Sequence, residues 1–265
     1  MSKPRRRREC VLVLAGLDPG GGAGLLADAR AILAAGAFPC AVTTVSTVQS
    51  TSGLRASRAI GASLWREQAR EVLAHQRVGA FKLGALGSVA NVRAAADLLA
   101  KHDDVPAVVD PVLLPTRGAA RLLEERGLRA LERDLIPRAA LVTANAPEAE
   151  ALTGARVRNV REARLAAQRI VAMGARAALV KGGHLSGASS VDVLFHEGEW
   201  IELAAPRLRL SRGVHGSGCT LSSLVAGRLA RGDELRAAVR FAKRAFQVAL
   251  QNAVDVGGHL SVLVP

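Results

Sequence analysis

The chain has 265 residues, 49% of them hydrophobic, and a formal charge of +13; that is enough apolar mass to bury a substantial core. No apolar run approaches the length that spans a bilayer, and three scattered cysteines (Cys10, Cys40, Cys219) make neither a disulfide framework nor a zinc site, so reduced thiols and a cytoplasmic location are expected. The charge invites a nucleic-acid role, but no tyrosine, two tryptophans and five phenylalanines leave too few platforms for base stacking, and much of the excess is arginine spread along helical stretches such as 117–138; no specific nucleic-acid binding is expected.

The one dense basic run, Arg5 to Arg8, reads as a solvated tail over residues 1–9, ahead of one domain over 10–265. Basic residues before Val11-Leu12-Val13-Leu14-Ala15 imitate a secretory signal. That run is short, however, and passes directly into Asp18-Pro19-Gly20-Gly21-Gly22, as a buried first strand followed by a functional loop does. Further buried strands are expected at Cys40–Val45, Ala80–Leu83, Ala107–Val109, Leu141–Thr143 and Ala177–Lys181. Amphipathic spacing predicts helices over Ala23–Ala35, Leu64–His75, Val89–His102, Leu128–Ile136, Pro147–Leu152 and Val160–Met173. Ala188–Leu203 reads as a hairpin edge turning at Gly198, and helices over Thr220–Arg231 and Leu235–Val254 follow it. Strands apolar on both faces and separated by helices make an α/β fold, a largely parallel sheet covered on both sides.

In such a sheet, ligands sit beyond the carboxyl ends of the strands, and the polar motifs fall there. Asp18 and the glycines follow the first strand and Gln49 the second. Asp110-Pro111 follows the fourth, Asn145 and Glu148 the fifth, and Gly182-Gly183-His184 the sixth. The most telling stretch is Val214-His215-Gly216-Ser217-Gly218-Cys219-Thr220-Leu221, a glycine-rich turn running into an apolar helix. Its free N–H groups and the helix dipole form an anion cradle, and the same field favours a Cys219 thiolate. The plain alternative is a helix cap with a buried cysteine.

Phosphoryl transfer needs charge neutralisation, a metal, an aligned acceptor and often a proton acceptor. The 216–219 amides suit the first need. Glu148 and Asp110 suit magnesium, which prefers oxygen ligands and keeps several waters; Asn145 and Pro147 also suit a simple helix start, with Glu148 complementing its dipole. Lys181 either reaches a nucleotide phosphate or is an ordinary strand-end lysine. His215 reads as a surface or packing histidine. Gly20–Gly24 lacks the Lys-Ser/Thr ending of a P-loop and reads as a close backbone approach to a small acceptor.

With these residues in place, the chain resembles the ribokinase-like superfamily, and within it the hydroxymethylpyrimidine/phosphomethylpyrimidine kinases of thiamine biosynthesis, from about Val11 to about Gly258. The resemblance is carried by Ala15-Gly16-Leu17-Asp18-Pro19, Gly21-Gly22-Ala23-Gly24, Ala27-Asp28, Val48-Gln49-Ser50-Thr51, Lys82-Leu83-Gly84, Asp110-Pro111-Val112, Asn145 through Leu152, Val180 through His184, and His215 through Ser222. It implies a three-layer α/β/α fold with a central, mostly parallel sheet of about eight strands. It implies a cytoplasmic, homodimeric kinase using ATP and Mg2+ to phosphorylate 4-amino-5-hydroxymethyl-2-methylpyrimidine and its monophosphate. By the same resemblance Gly16, Asp28 and Gln49 contact the pyrimidine and Val112 packs on its ring. Asp110, Asn145, Glu148 and Lys181 serve magnesium and the ATP phosphates. Gly216, Ser217 and Gly218 donate amides to the transferring group, and Cys219 stands where the wider superfamily carries an aspartate base.

The chain departs from the family at Leu17, Gly20, Leu26, Ala85 and Pro115-Thr116-Arg117-Gly118, where Ser/Thr, Ser, Gln, Met and a small Lys-Ser-Gly segment are usual. Several of these lie near the expected acceptor pocket, and the loss of methionine at 85 reshapes an apolar wall. Two alternatives follow: a pyridoxal or pyridoxine kinase of the same superfamily, and a pyrimidine-binding regulator without catalysis.

Overall fold

The structure, a computed structural model, describes residues 9–113, 122–208 and 210–265. The basic run Arg5–Arg8 and the segment Pro115–Gly118 lie outside the described residues.

Among the described residues, nine strands form one sheet. In chain order they are β1 (Cys10–Leu17), β2 (Phe38–Ser50), β3 (Gly53–Ala59), β4 (Val78–Leu83), β5 (Ala107–Val109), β6 (Leu141–Ala144), β7 (Ala177–Val180), β8 (Ser189–His196) and β9 (Glu199–Pro206). Their spatial order is β3-β2-β1-β4-β5-β6-β7-β8-β9. The centre, β2 through β7, is parallel; β3, β8 and β9 close the two ends antiparallel. The helices are α1 (Gly24–Ala34), α2 (Ala62–His75), α3 (Val89–Ala100), α4 (Glu125–Ala130), α5 (Ala146–Thr153), α6 (Val160–Ala172), α7 (Ser217–Ala230) and α8 (Leu235–Gln251). Two short strands, β10 (Val214–His215) and β11 (Ser261–Val262), pair in parallel and tie the C-terminal segment to the start of the glycine-rich turn.

Alternation along β1 sets the layers, because successive strand side chains leave opposite faces. Leu12 and Leu14 enter a core with Trp65, Val92, Leu135, Ala149 and Ile170 beneath α2 to α6. Val11, Val13 and Ala15 enter the other core with Ile32, Leu224, Val225 and Val239 beneath α1, α7 and α8. Both faces are therefore dry, as a parallel sheet requires.

Three differences from the expected elements matter. The sheet has one strand more than about eight, since β3 pairs antiparallel with β2. The strand expected at Cys40–Val45 runs on to Ser50, so Gln49 stands on β2 itself rather than on a loop after it. The helix expected at Leu128–Ile136 is α4 followed by a π turn at Leu131–Leu135 and a 3-10 turn at Ile136–Arg138; the chain tightens where Pro137 removes a donor.

Candidate functional site

The carboxyl ends of β1, β2, β5, β6 and β7 open onto a cavity of about 570 Å³. Gln49, Asp110, Val112, Asn145, Glu148, Lys181 and the whole turn Gly216-Ser217-Gly218-Cys219 line it. Gly16 lines a smaller adjoining recess of about 50 Å³, together with Ala85, Leu122 and, at the shared boundary, Gln49, Val112 and Cys219.

The turn is shaped by backbone approach. Gly216 has φ +71°, and a side chain on it would strike the Gly22 carbonyl; only glycine combines that conformation with that contact. A side chain on Gly218 would come 3.0 Å from Lys181 Nζ and 3.3 Å from Asp110 Oδ2, so its absence lets the charged pair reach the helix start. Among the described residues no side chain caps α7, which leaves its first N–H groups for an anion. α5 is closed instead: Asn145 Oδ1 accepts from the Glu148 N–H and Glu148 Oε2 accepts from the Asn145 N–H, each at 2.8 Å, a reciprocal capping box.

Glu148 does more than cap. Lys181 Nζ lies 2.9 Å from Asp110 Oδ1 and 3.6 Å from Glu148 Oε2, and Thr143 Oγ1 also donates to Asp110 Oδ1 at 3.3 Å. Burial, reinforced by Asp110, raises the Glu148 carboxyl to about 7 against the opposing pull of Lys181 and the Asn145 N–H. Burial works against the Lys181 charge, yet Asp110 and Glu148 hold its pKa above the ordinary lysine value. Two carboxylates thus share one ammonium, and the surplus negative charge suits a divalent cation.

Two expectations are corrected. Asp28 does not reach either cavity: it is fully buried, with Oδ1 2.9 Å from Lys82 Nζ and accepting from Ser223 Oγ at 2.7 Å. It joins α1, β4 and α7 beneath the site, and the motif that carried it shows position in the chain but not depth. At Cys219 the surroundings favour the thiol over the thiolate. The residue is half-buried at the cavity wall, but burial leads in pushing its thiol up to about 12, Asp28 and Asp110 add to this, and Lys82 and the Gly24 N–H offset it only in part.

The structure also brings in residues that spacing did not single out. His215 is buried and lines the cavity, with Nε2 3.0 Å from Asp18 Oδ2 and 2.9 Å from the Gln49 amide. Asp192 accepts from the Gly182 N–H at 2.7 Å and pairs with Lys243 at 2.9 Å, both residues lining the cavity. An aspartate on β8 and a lysine on the last helix carry no local signal of meeting. Ala85 packs in a small cluster with Val45, Leu54 and Leu122 beside Val112, so Leu122 stands in the apolar wall there. Leu26 is exposed on the surface.

A family model described as phosphomethylpyrimidine kinase matches residues 18–263. A hydroxymethylpyrimidine/phosphomethylpyrimidine kinase of Streptomyces coelicolor is 42% identical over 94% of this chain and 91% of its own. A thiamine biosynthesis bifunctional protein of Geobacter sulfurreducens is 39% identical over 95% of this chain, which spans about half (51%) of that longer relative. Among solved structures, an ADP complex of Bacillus subtilis pyridoxal kinase superposes with a TM-score of 0.88 at 26% identity, covering 97% of both chains.

Proposed function

The chain belongs to the phosphomethylpyrimidine kinase family, and on that premise we propose that it transfers the γ-phosphoryl group of ATP to 4-amino-5-hydroxymethyl-2-methylpyrimidine and then to its monophosphate, in the cytoplasm and as a homodimer. The observation that carries this proposal is the meeting of the uncapped 216–219 turn with the Lys181, Asp110 and Glu148 cluster on one cavity. The location and the dimer rest on the reduced thiols and the family resemblance alone; among the described residues no helix is long and apolar enough to cross a membrane.

The apolar end of the cavity, at Leu221, Phe246 and Leu250, suits a purine base. The amides of Ser217, Gly218 and Cys219 then receive the transferring group, and Lys181 neutralises charge from the sheet side. Asp110 and Glu148 would hold magnesium, largely through water, and the ion would supply further neutralisation of the phosphate oxygens. The acceptor ring occupies the recess between Gly16, Ala85 and Val112, with Gln49 at its edge and its hydroxymethyl group toward Cys219. Phosphoryl transfer passes through a loose transition state, so the acceptor hydroxyl loses its proton late, to an oxygen of the phosphoryl group it receives. A neutral thiol that orients that hydroxyl is therefore sufficient, and positioning contributes more than basicity.

A pyridoxal or pyridoxine acceptor is the second candidate. It is favoured by the likeness to the Bacillus subtilis pyridoxal kinase and by the small Ala85 side chain in the wall of the recess. Steady-state kinetics with magnesium ATP and a panel of hydroxymethylpyrimidines and pyridoxal vitamers test both. A kcat/KM higher for the aminopyrimidine is expected. A higher value for a vitamer transfers the assignment to it, and acceptor-independent or absent ATP consumption returns the chain to a binding role.

A further inference from the structure

Three side chains from opposite ends of the chain meet at the edge of the acceptor recess. Asp18 follows β1 and is buried; its Oδ1 accepts from the Gly20 N–H and its Oδ2 from the Ala23 N–H, each at 2.9 Å. The same Oδ2 lies 3.0 Å from His215 Nε2. The Gln49 carboxamide nitrogen lies 2.9 Å from that same ring nitrogen, and the residue borders the recess. Among the described residues His215 Nδ1 has no hydrogen-bond partner, although it is buried.

One imidazole nitrogen therefore faces two neighbours. Burial works to raise the Asp18 carboxyl, but the His215 contact and the two N–H groups outweigh it and hold the carboxyl below its usual range. An ionised carboxylate only accepts, so the proton at this contact belongs to His215 Nε2. A protonated ring nitrogen has no lone pair left to accept with. Two donors cannot bond each other, so the carboxamide must turn over, bringing its carbonyl oxygen beside His215 Nε2 to share the N–H with Asp18. The two ends of a carboxamide have the same heavy-atom shape, so hydrogen-bond chemistry decides between them. The unpartnered Nδ1 agrees: a buried lone pair without a donor is tolerated better than a buried N–H without an acceptor.

We infer that Asp18, acting through His215, turns the Gln49 carboxamide so that its NH2 end faces the acceptor recess, and that the site thereby selects a ring presenting a lone-pair nitrogen there. Asp18 and His215 are positioning residues for specificity. The inference rests on the acceptor site proposed above, but the direction of the relay does not depend on which acceptor is phosphorylated. A Gln49 turned the other way would present a carbonyl and select an amino group instead.

Two measurements test the relay. The first is the 15N spectrum of histidine-labelled protein, with the His215 signals identified by their loss in His215→Phe. A pyrrole-like, protonated Nε2 is expected; a proton on Nδ1 with a bare Nε2 overturns the inference. The second compares the aminopyrimidine with analogues in which each ring nitrogen in turn is replaced by C–H. In the wild type one replacement raises KM by about tenfold, the worth of one hydrogen bond, with kcat little changed. That penalty falls to within about twofold in Gln49→Ala and shrinks in Asp18→Asn. A penalty that persists undiminished in Gln49→Ala overturns the inference. If no acceptor on the panel is phosphorylated, the kinase assignment fails, and the tautomer of His215 still decides this one.

Discussion

Lys82 and Asp28 form an ion pair, 2.9 Å from Nζ to Oδ1, in which both side chains are wholly shielded from solvent. Removing one member of such a pair strands the other charge, at a cost of about 3–5 kcal/mol. Lys82→Met and Asp28→Asn are each expected to lower the thermal midpoint strongly, and the double variant to lose much less than the sum. Because Asp28 lies beneath the site, KM for the acceptor in folded Asp28→Asn stays near wild type. A selective rise in acceptor KM without a stability change would restore Asp28 to the substrate.

Glu148 fixes the sign of a pH effect. Its carboxyl, raised by burial to about 7, is protonated below neutrality and cannot then balance a divalent cation. At limiting magnesium, activity is expected to rise from pH 6 to pH 8, with the apparent magnesium requirement falling in parallel. In Glu148→Gln the requirement is high and loses this pH dependence. A magnesium titration at several pH values checks the slope and its direction.

Cys219 should behave as a thiol. With its pKa pushed up to about 12, alkylation at pH 7–9, followed by peptide mapping, should be slow and should accelerate up to the highest pH at which the protein stays folded. Cys219→Ser is expected to keep kcat within about tenfold, since a loose transition state asks little of a base. Fast modification at pH 7, or loss of activity in Cys219→Ser by several orders of magnitude, would reinstate the thiolate.

Gly218 separates stability from catalysis. Alanine is intrinsically better in a helix than glycine by about 1 kcal/mol, so Gly218→Ala should leave the thermal midpoint near wild type. Its Cβ, however, would stand 3.0 Å from Lys181 Nζ, displacing the ammonium from the phosphate path. A fall in kcat of about a hundredfold is expected from misplacing such a group. Unchanged kcat would show that Lys181 acts elsewhere.

Much of the fold was legible because parallel strands are buried on two sides. Val11, Val13 and Ala15 face one core while Leu12 and Leu14 face the other, and no loop has that pattern. β3 carries no such signal, because Arg55 and Arg58 make an exposed edge strand look like loop. Gln49 reads as lying beyond β2 for the same reason, as a polar residue on a strand end that leaves the core. The anion turn and the Asp110, Glu148 and Lys181 cluster were found because each sits at a strand end or helix start, where local sequence and position in the fold coincide.

The alternation of buried strands with helices, the dryness of both sheet faces and the glycine-rich helix start at 216–219 follow from the sequence alone, because hydrophobic period and glycine placement act over a few residues. The charge states of Cys219 and Glu148, the depth of Asp28 and the contact of His215 with Asp18 were decided only by the tertiary structure. Hydration and electrostatic fields are set by whichever groups fold together around an atom, and those groups lie far apart along the chain.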